Sequence, residues 1–150
     1  MITWHVLSFN ELSTEQLYAL MQLRVNVFVV EQACAYAELD GKDTMKGVYH
    51  LFAIENNEII ACARLLPAGI SFKNVSIGRV AITKSERGKG IGHQLIEQAL
   101  KQCERLWPGE SIDIGAQEYL ETFYRSYGFQ CISSVYLEDD IAHIDMRLAK

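Results

Sequence analysis

Ile77–Gln94 reads IGRVAITKSERGKGIGHQ, and its three parts decide the fold. Val80, Ala81 and Ile82 belong to an apolar, β-branched run that predicts a strand. Lys84, Ser85, Glu86 and Arg87 interrupt it with charge. Gly88, Gly90 and Gly92 then occupy alternate positions, and a 3.6-residue apolar period starts at Ile91. A strand, a glycine turn and a helix start in this order form an anion site. Glycines let backbone N–H groups approach an anion with no Cβ in the way. The first-turn N–H groups of a helix lack partners, and its dipole is positive at that end. Arg87 and Lys89 add full positive charge there.

Three phosphate-binding patterns need separating. A P-loop needs four residues between its glycines and then Lys-Ser/Thr, which this stretch lacks. A dinucleotide fingerprint needs Gly-x-Gly-x-x-Gly. Gly88 and Gly90 fit, but His93 holds the third place and the glycine falls one residue early, at Gly92. Asp113 lies about 20 residues further on, where a ribose-binding acid would stand, so this reading is weakened but open. The third pattern, Arg87-x-x-Gly90-x-Gly92, resembles the pyrophosphate loop of the GNAT N-acetyltransferases, which bind acetyl-CoA.

Composition narrows the classes. A chain of 150 residues, 49% of them hydrophobic and two of them proline, suits one globular domain spanning 1–150 with a substantial core. Its net charge of −5 argues against a nucleic-acid surface and favours cationic or neutral partners. Cys34, Cys62, Cys103 and Cys131 form no Cys-x-x-Cys pair, and the four histidines are far apart. No metal site is expected; reduced thiols in a cytoplasmic protein are. The N-terminus carries no signal-peptide pattern, and no apolar run approaches the roughly 18 residues of a membrane helix. A homodimer is compatible with this composition without being required by it.

Trp4–Phe9 reads as a first strand. Ser13 with Gln16 three residues later is a capping box opening a helix that should end near Val29–Val30. Glu31–Gly47 has no clean period and reads as an ordered connection. Tyr49–Glu55 and Glu58–Leu66 are strands joined by a two-residue Asn56-Asn57 turn. Lys73–Ile82 is a further strand, Ile91–Leu106 a helix and Ser111–Ala116 a strand. Tyr119–Tyr127 is a short helix closed by Gly128. Phe129–Tyr136 and Ala142–Leu148 finish as strands around the acidic loop Glu138-Asp139-Asp140.

This element order resembles that of a GNAT domain, and Tyr124-Arg-Ser-Tyr127-Gly128-Phe129 is similar to the family's Tyr-x-x-x-Gly-Phe. LYALMQLRVNVFVVEQ, ELDGKD, IGRVAI, GAQEYLETFYRSYGF and VYLEDDIAHIDM resemble the ElaA branch across nearly the whole chain. The chain departs from the family where Gln117 replaces a frequent asparagine and Leu120 a frequent alanine, and from the branch at Asp140 and Ala142 and in Ala33–Tyr36, which lacks an expected proline. The resemblance implies a mixed α/β (α+β) fold of six to seven strands with flanking helices, splayed between the fourth and fifth strands.

The implied activity is transfer of an acetyl group from acetyl-CoA to a primary amine of a small molecule or peptide, by direct attack in a ternary complex. An acyl-CoA-binding module without turnover is the alternative. The resemblance places the pantetheine arm along the backbone of Val80, Ala81 and Ile82, as an added strand would lie. It places the pyrophosphate on Arg87, Gly88, Lys89, Gly90, Ile91 and Gly92, with Gln117 nearby. A primary amine has a pKa near 10 and must lose a proton before attack. A backbone N–H on the Lys73–Ile82 strand would donate to the oxyanion. Tyr124 would protonate the departing thiolate; Tyr127 is its rival by residue type.

Other residues carry blander readings. His143 could serve as a base but reads first as strand structure, His93 as surface, and Cys62 and Cys131 as inert thiols. No side chain stands out as the general base; a water chain to Glu31, Glu38 or a carbonyl serves as well. Arg24, Arg64 and Arg79 each interrupt an apolar element, and an arginine rarely stays buried unpaired. Pairing with Glu31, Glu38, Asp40 or Asp43 is expected, pinning the irregular segment over the sheet. The functional alternative makes Arg64, Arg79 and Glu38 substrate-binding residues.

Overall fold

The computed structural model describes residues 1–150. The strands are β1 (Thr3–Ser8), β2 (Tyr49–Glu55), β3 (Glu58–Leu66), β4 (Val75–Ile82), β5 (Ile112–Gln117), β6 (Gln130–Cys131), β7 (Tyr136–Glu138) and β8 (Ile141–Leu148); the helices are α1 (Thr14–Val25), α2 (Ile91–Leu106) and α3 (Glu121–Arg125). One mixed sheet runs β1-β2-β3-β4-β5-β8-β6, with β7 also paired to β8. Every pairing is antiparallel except β4 with β5. That parallel pairing holds only at Val75↔Ile112 and Ser76↔Asp113, and beyond it the strands separate. The expected splay between the fourth and fifth strands is therefore present.

Local chemistry accounts for most element boundaries. Ser13 N–H donates to Gln16 Oε1 at 2.9 Å and Gln16 N–H donates to Ser13 Oγ at 3.0 Å, so the expected capping box is formed. Asn56 and Asn57 take φ of 52° and 64°, the left-handed pair that a tight hairpin turn requires. β3 is apolar on both faces because both are covered: α2 and α3 pack on one, α1 on the other. On the α2 side Leu51, Leu65, Leu95, Ile112 and Met146 are fully enclosed. On the α1 side Leu20, Phe52 and Cys62 form a smaller core.

Most boundaries lie within one or two residues of expectation, β4 starting at Val75 and α3 spanning only Glu121–Arg125, and three regions differ in kind. The α-helical part of α1 stops at Val25, and a wider turn, Asn26–Glu31, prolongs it. The last region holds two short strands where one, Phe129–Tyr136, was expected, which gives eight strands. Ser133 causes the break: Asp145 N–H donates to its hydroxyl at 2.9 Å while Ile132 N–H takes the Asp145 carbonyl. A side chain thus occupies a ladder position between β6 and β7. The acidic loop is a tight turn, with Asp139 and Asp140 at φ of 50° and 64°.

Candidate active site

The splay opens into a cavity of about 710 Å³. Val80, Ala81 and Ile82 of β4 line one side and Ile114, Ala116 and Gln117 of β5 the other. Val27, Phe28 and Glu31, on the prolonged end of α1, cover part of it. Ser76 Oγ lies on the lining where the two strands part and has no hydrogen-bond partner.

The glycine loop meets this cavity at Arg87 and Gly92, while Gly88, Lys89, Gly90 and Ile91 lie just off its lining. Gly88 and Gly90 adopt φ of 80° and 81°, which a residue with a Cβ reaches only with strain. A Cβ built on Gly90 would meet nothing within 4 Å, so the surface of the turn is open. Gly90 caps α2, whose first-turn N–H groups have no helical acceptor. Ile91 contributes backbone only, since its side chain is buried in the core. Arg87 does not extend from the loop. Its guanidinium donates to the Ile82 carbonyl at 2.9 and 3.1 Å and pairs with Glu31 at 2.6 Å. Lys89 pairs with Glu86 at 3.3 Å.

Tyr124 lines the cavity from α3, 6% exposed, its ring edge-on to Phe123 and Phe129. Burial pushes its phenol up to about 12, with a smaller push from Tyr119, and no protein group hydrogen-bonds to it. The hydroxyl is therefore a neutral, uncommitted donor. Tyr127 is placed differently. It bonds to His93 Nδ1 at 2.7 Å and lies off the cavity lining. Gly128 takes φ of 95° directly after, turning the chain so that Phe129 is buried.

The irregular segment is held by ions. Arg24 donates to Glu38 and Asp43, each at 2.6 Å. Arg64 forks onto both Asp40 oxygens at 2.9 Å and reaches Asp43 at 3.1 Å. Arg79 donates to Glu38 at 2.9 Å and Asp40 at 3.3 Å, and Tyr36 donates to Glu38 as well. Three arginines thus face three carboxylates, the pairing expected from sequence. Burial pushes Asp43 and Asp40 up, but the facing arginines outweigh it and hold both below the usual carboxylate range. Burial keeps His50 neutral against this cluster by lowering its pKa. Arg64 and Arg79 still line the cavity, whereas Glu38 sits behind them, 4% exposed.

Arg79 carries a second feature. Between Cys62↔Ala81 and Arg64↔Gly78, β4 has one more residue than β3, and Arg79 takes φ of 50° in that bulge. Its ion pairs tie the bulge to the irregular segment. The cavity wall also includes Tyr136 and His143, directly opposite each other on β7 and β8. The two-residue turn at Asp139-Asp140 fixes the 136–143 register.

The acetyltransferase (GNAT) domain family matches residues 11–150. The chain is 44% identical to protein ElaA of Escherichia coli over 146 residues, 97% of this chain and 95% of that one. The crystal structure of E. coli ElaA superposes with a TM-score of 0.93 at 43% identity, covering 98% of this chain and 99% of that one. An acyl-CoA N-acyltransferase from Pseudomonas aeruginosa superposes with a TM-score of 0.95 at 44% identity, covering 99% of this chain and all of that one. With these relatives, the β4–β5 splay and the glycine loop at its edge, the chain belongs to the GNAT family of acyltransferases, which use acyl-CoA and act on amines.

Proposed function

We propose that this protein transfers an acetyl group from acetyl-CoA to a primary amine by direct attack in a ternary complex, without a metal. One observation carries the reading: an unpartnered neutral phenol, Tyr124, lines the same cavity that the open glycine loop borders. The residues fit the co-substrate. N–H groups of Gly88–Gly92 and the Arg87 guanidinium would hold its pyrophosphate, and the backbone of Val80–Ile82 its pantetheine arm. Gln117 lines the facing strand. Acetyl-CoA supplies an activated acyl group; the chain's part is to orient it, exclude water and move protons. Tyr124 gives a proton to the departing sulfur.

For the acceptor, the charge balance supports an amine without an obligatory carboxylate. Both charges are already balanced, since Arg64 and Arg79 face Asp40, Asp43 and Glu38, although Arg64 Nε has no hydrogen-bond partner. Glu138 and Asp139 also line the cavity, and no arginine pairs with either. The acceptor would lie between the Glu31–Gly47 segment and the Tyr136–His143 hairpin. The test compares an amino acid with its decarboxylated amine at saturating acetyl-CoA. The amine should match or exceed the amino acid in kcat/KM. A strong preference for the amino acid, removed by Arg64→Gln or Arg79→Gln in folded protein, would make those arginines the acceptor site.

A further inference from the structure

An amine acceptor must lose a proton, and the geometry points to His143 Nε2 as the group that takes it; this rests on the acetyl-transfer reading. Two registers fix where His143 stands. It pairs with Tyr136 on β7 and with Gln117 on β5. Gln117 and Val80 both line the cavity, on the two strands that part beyond Ser76↔Asp113. His143 is therefore one strand beyond Gln117, and its side chain lines the cavity.

The imidazole is held in one tautomer. Nδ1 lies 2.8 Å from the Ile141 carbonyl oxygen. A carbonyl can only accept, so Nδ1 carries the hydrogen and the neutral ring has a bare lone pair at Nε2. Nε2 is 3.6 Å from Glu138 Oε2, too far for a hydrogen bond. Tyr136 stacks on the ring, with centroids 6.0 Å apart at 24°. Tyr136 in turn donates to Asp145 at 2.6 Å, which fixes its own orientation. Tyr136 and Glu138 of β7, Asp139 of the turn and Asp145 of β8 are ionisable groups near His143. Gln117, bonded to Gln32 at 3.5 Å, is its neutral neighbour on β5.

Protons balance through two residues. His143 Nε2 takes one proton from the acceptor ammonium and passes it to water. Tyr124 gives one proton to sulfur and regains one from nitrogen, as a C–N bond replaces the C–S bond. No oxidant, metal or further reactant is needed.

The test has an arm independent of activity. With ¹⁵N-labelled histidine in the free protein above the imidazole pKa, His143 should show a protonated Nδ1 and a bare Nε2; the reverse pattern overturns the assignment. The second arm compares an alkylamine with an alkoxyamine, whose nitrogen is already neutral at pH 7. His143→Gln should lower kcat/KM for the alkylamine by about 10²- to 10⁴-fold. It should spare the alkoxyamine within about tenfold and leave acetyl-CoA affinity unchanged. His143→Asn serves if the glutamine variant does not fold. Equal loss on both acceptors, or no loss on either, sinks the base. Wild-type protein that binds acetyl-CoA yet acetylates neither acceptor overturns the transfer reading itself, and the base with it.

Discussion

Arg87 and Glu31 are paired at 2.6 Å across the edge of the cavity, so the cation expected on the pyrophosphate loop is held by a carboxylate from the end of α1. The side chains are 40% and 32% exposed. A pair of this kind contributes about 0–1 kcal/mol. A pyrophosphate with two or more charges and several N–H partners should displace Glu31.

Glu31→Gln removes that competitor and should tighten acetyl-CoA binding by up to about fivefold, the equivalent of about 1 kcal/mol. Arg87→Glu should weaken binding strongly while the melting temperature changes little. Calorimetric titration measures both. Weaker binding in Glu31→Gln would mean that the carboxylate orients Arg87 toward the phosphates.

Gly90→Asp combines a left-handed backbone with a negative charge at the helix start. It should abolish acetyl-CoA binding. Gly90→Asn is the control, because asparagine tolerates positive φ and carries no charge. It should cost about 1 kcal/mol of stability and keep most of the affinity. Undiminished affinity in folded Gly90→Asp would remove the phosphate assignment from this loop.

Tyr124→Phe should reduce kcat by about ten- to ten-thousand-fold at unchanged acetyl-CoA affinity. Tyr127→Phe should change kcat little, since Tyr127 faces His93. The reverse result would move the acid to Tyr127. The same phenol sets an alkaline limit. Its folded pKa, about 12, lies above the usual value near 10, so the unfolded chain loses that proton first. Stability from this group is complete below pH 10 and is lost as pH rises from about 10 to 12. Tyr124→Phe should flatten that decline in denaturation curves; an unchanged slope would show that the phenol is not buried in solution.

Arg24 sits 1% exposed between Glu38 and Asp43. Arg24→Ala leaves three carboxylates facing only Arg64 and Arg79, an excess negative charge in a buried cluster, and should cost about 3–5 kcal/mol of stability. Asp40 and Asp43 have lowered pKa values, so their contribution is present above the ordinary carboxylate range. It is lost as pH falls below about 4. Arg24→Met with Glu38→Gln and Asp43→Asn should recover much of the stability and blunt the acid loss. A wild-type acid midpoint unmoved by the triple change would assign acid unfolding to other carboxylates.

Short-range chemistry was legible in the amino-acid order. The cap at Ser13, the turn at Asn56-Asn57, the glycine start of α2 and the Tyr124–Phe129 motif each depend on residues a few positions apart. Their φ preferences and N–H acceptors act locally, and the β–α–β order around them fixed the fold class. The arginine pairings were anticipated because a buried guanidinium demands a carboxylate, although which partner each one takes was not. Other features needed the folded sheet. Arg87 finds Glu31 only because the turn ending α1 lies over β4. The break between β6 and β7 depends on Ser133 meeting Asp145 of β8. His143 looked like packing because strand period alone does not show which face borders a cavity. The parting of β4 and β5 decides that: it leaves polar side chains of β5, β7 and β8 facing open space instead of a core.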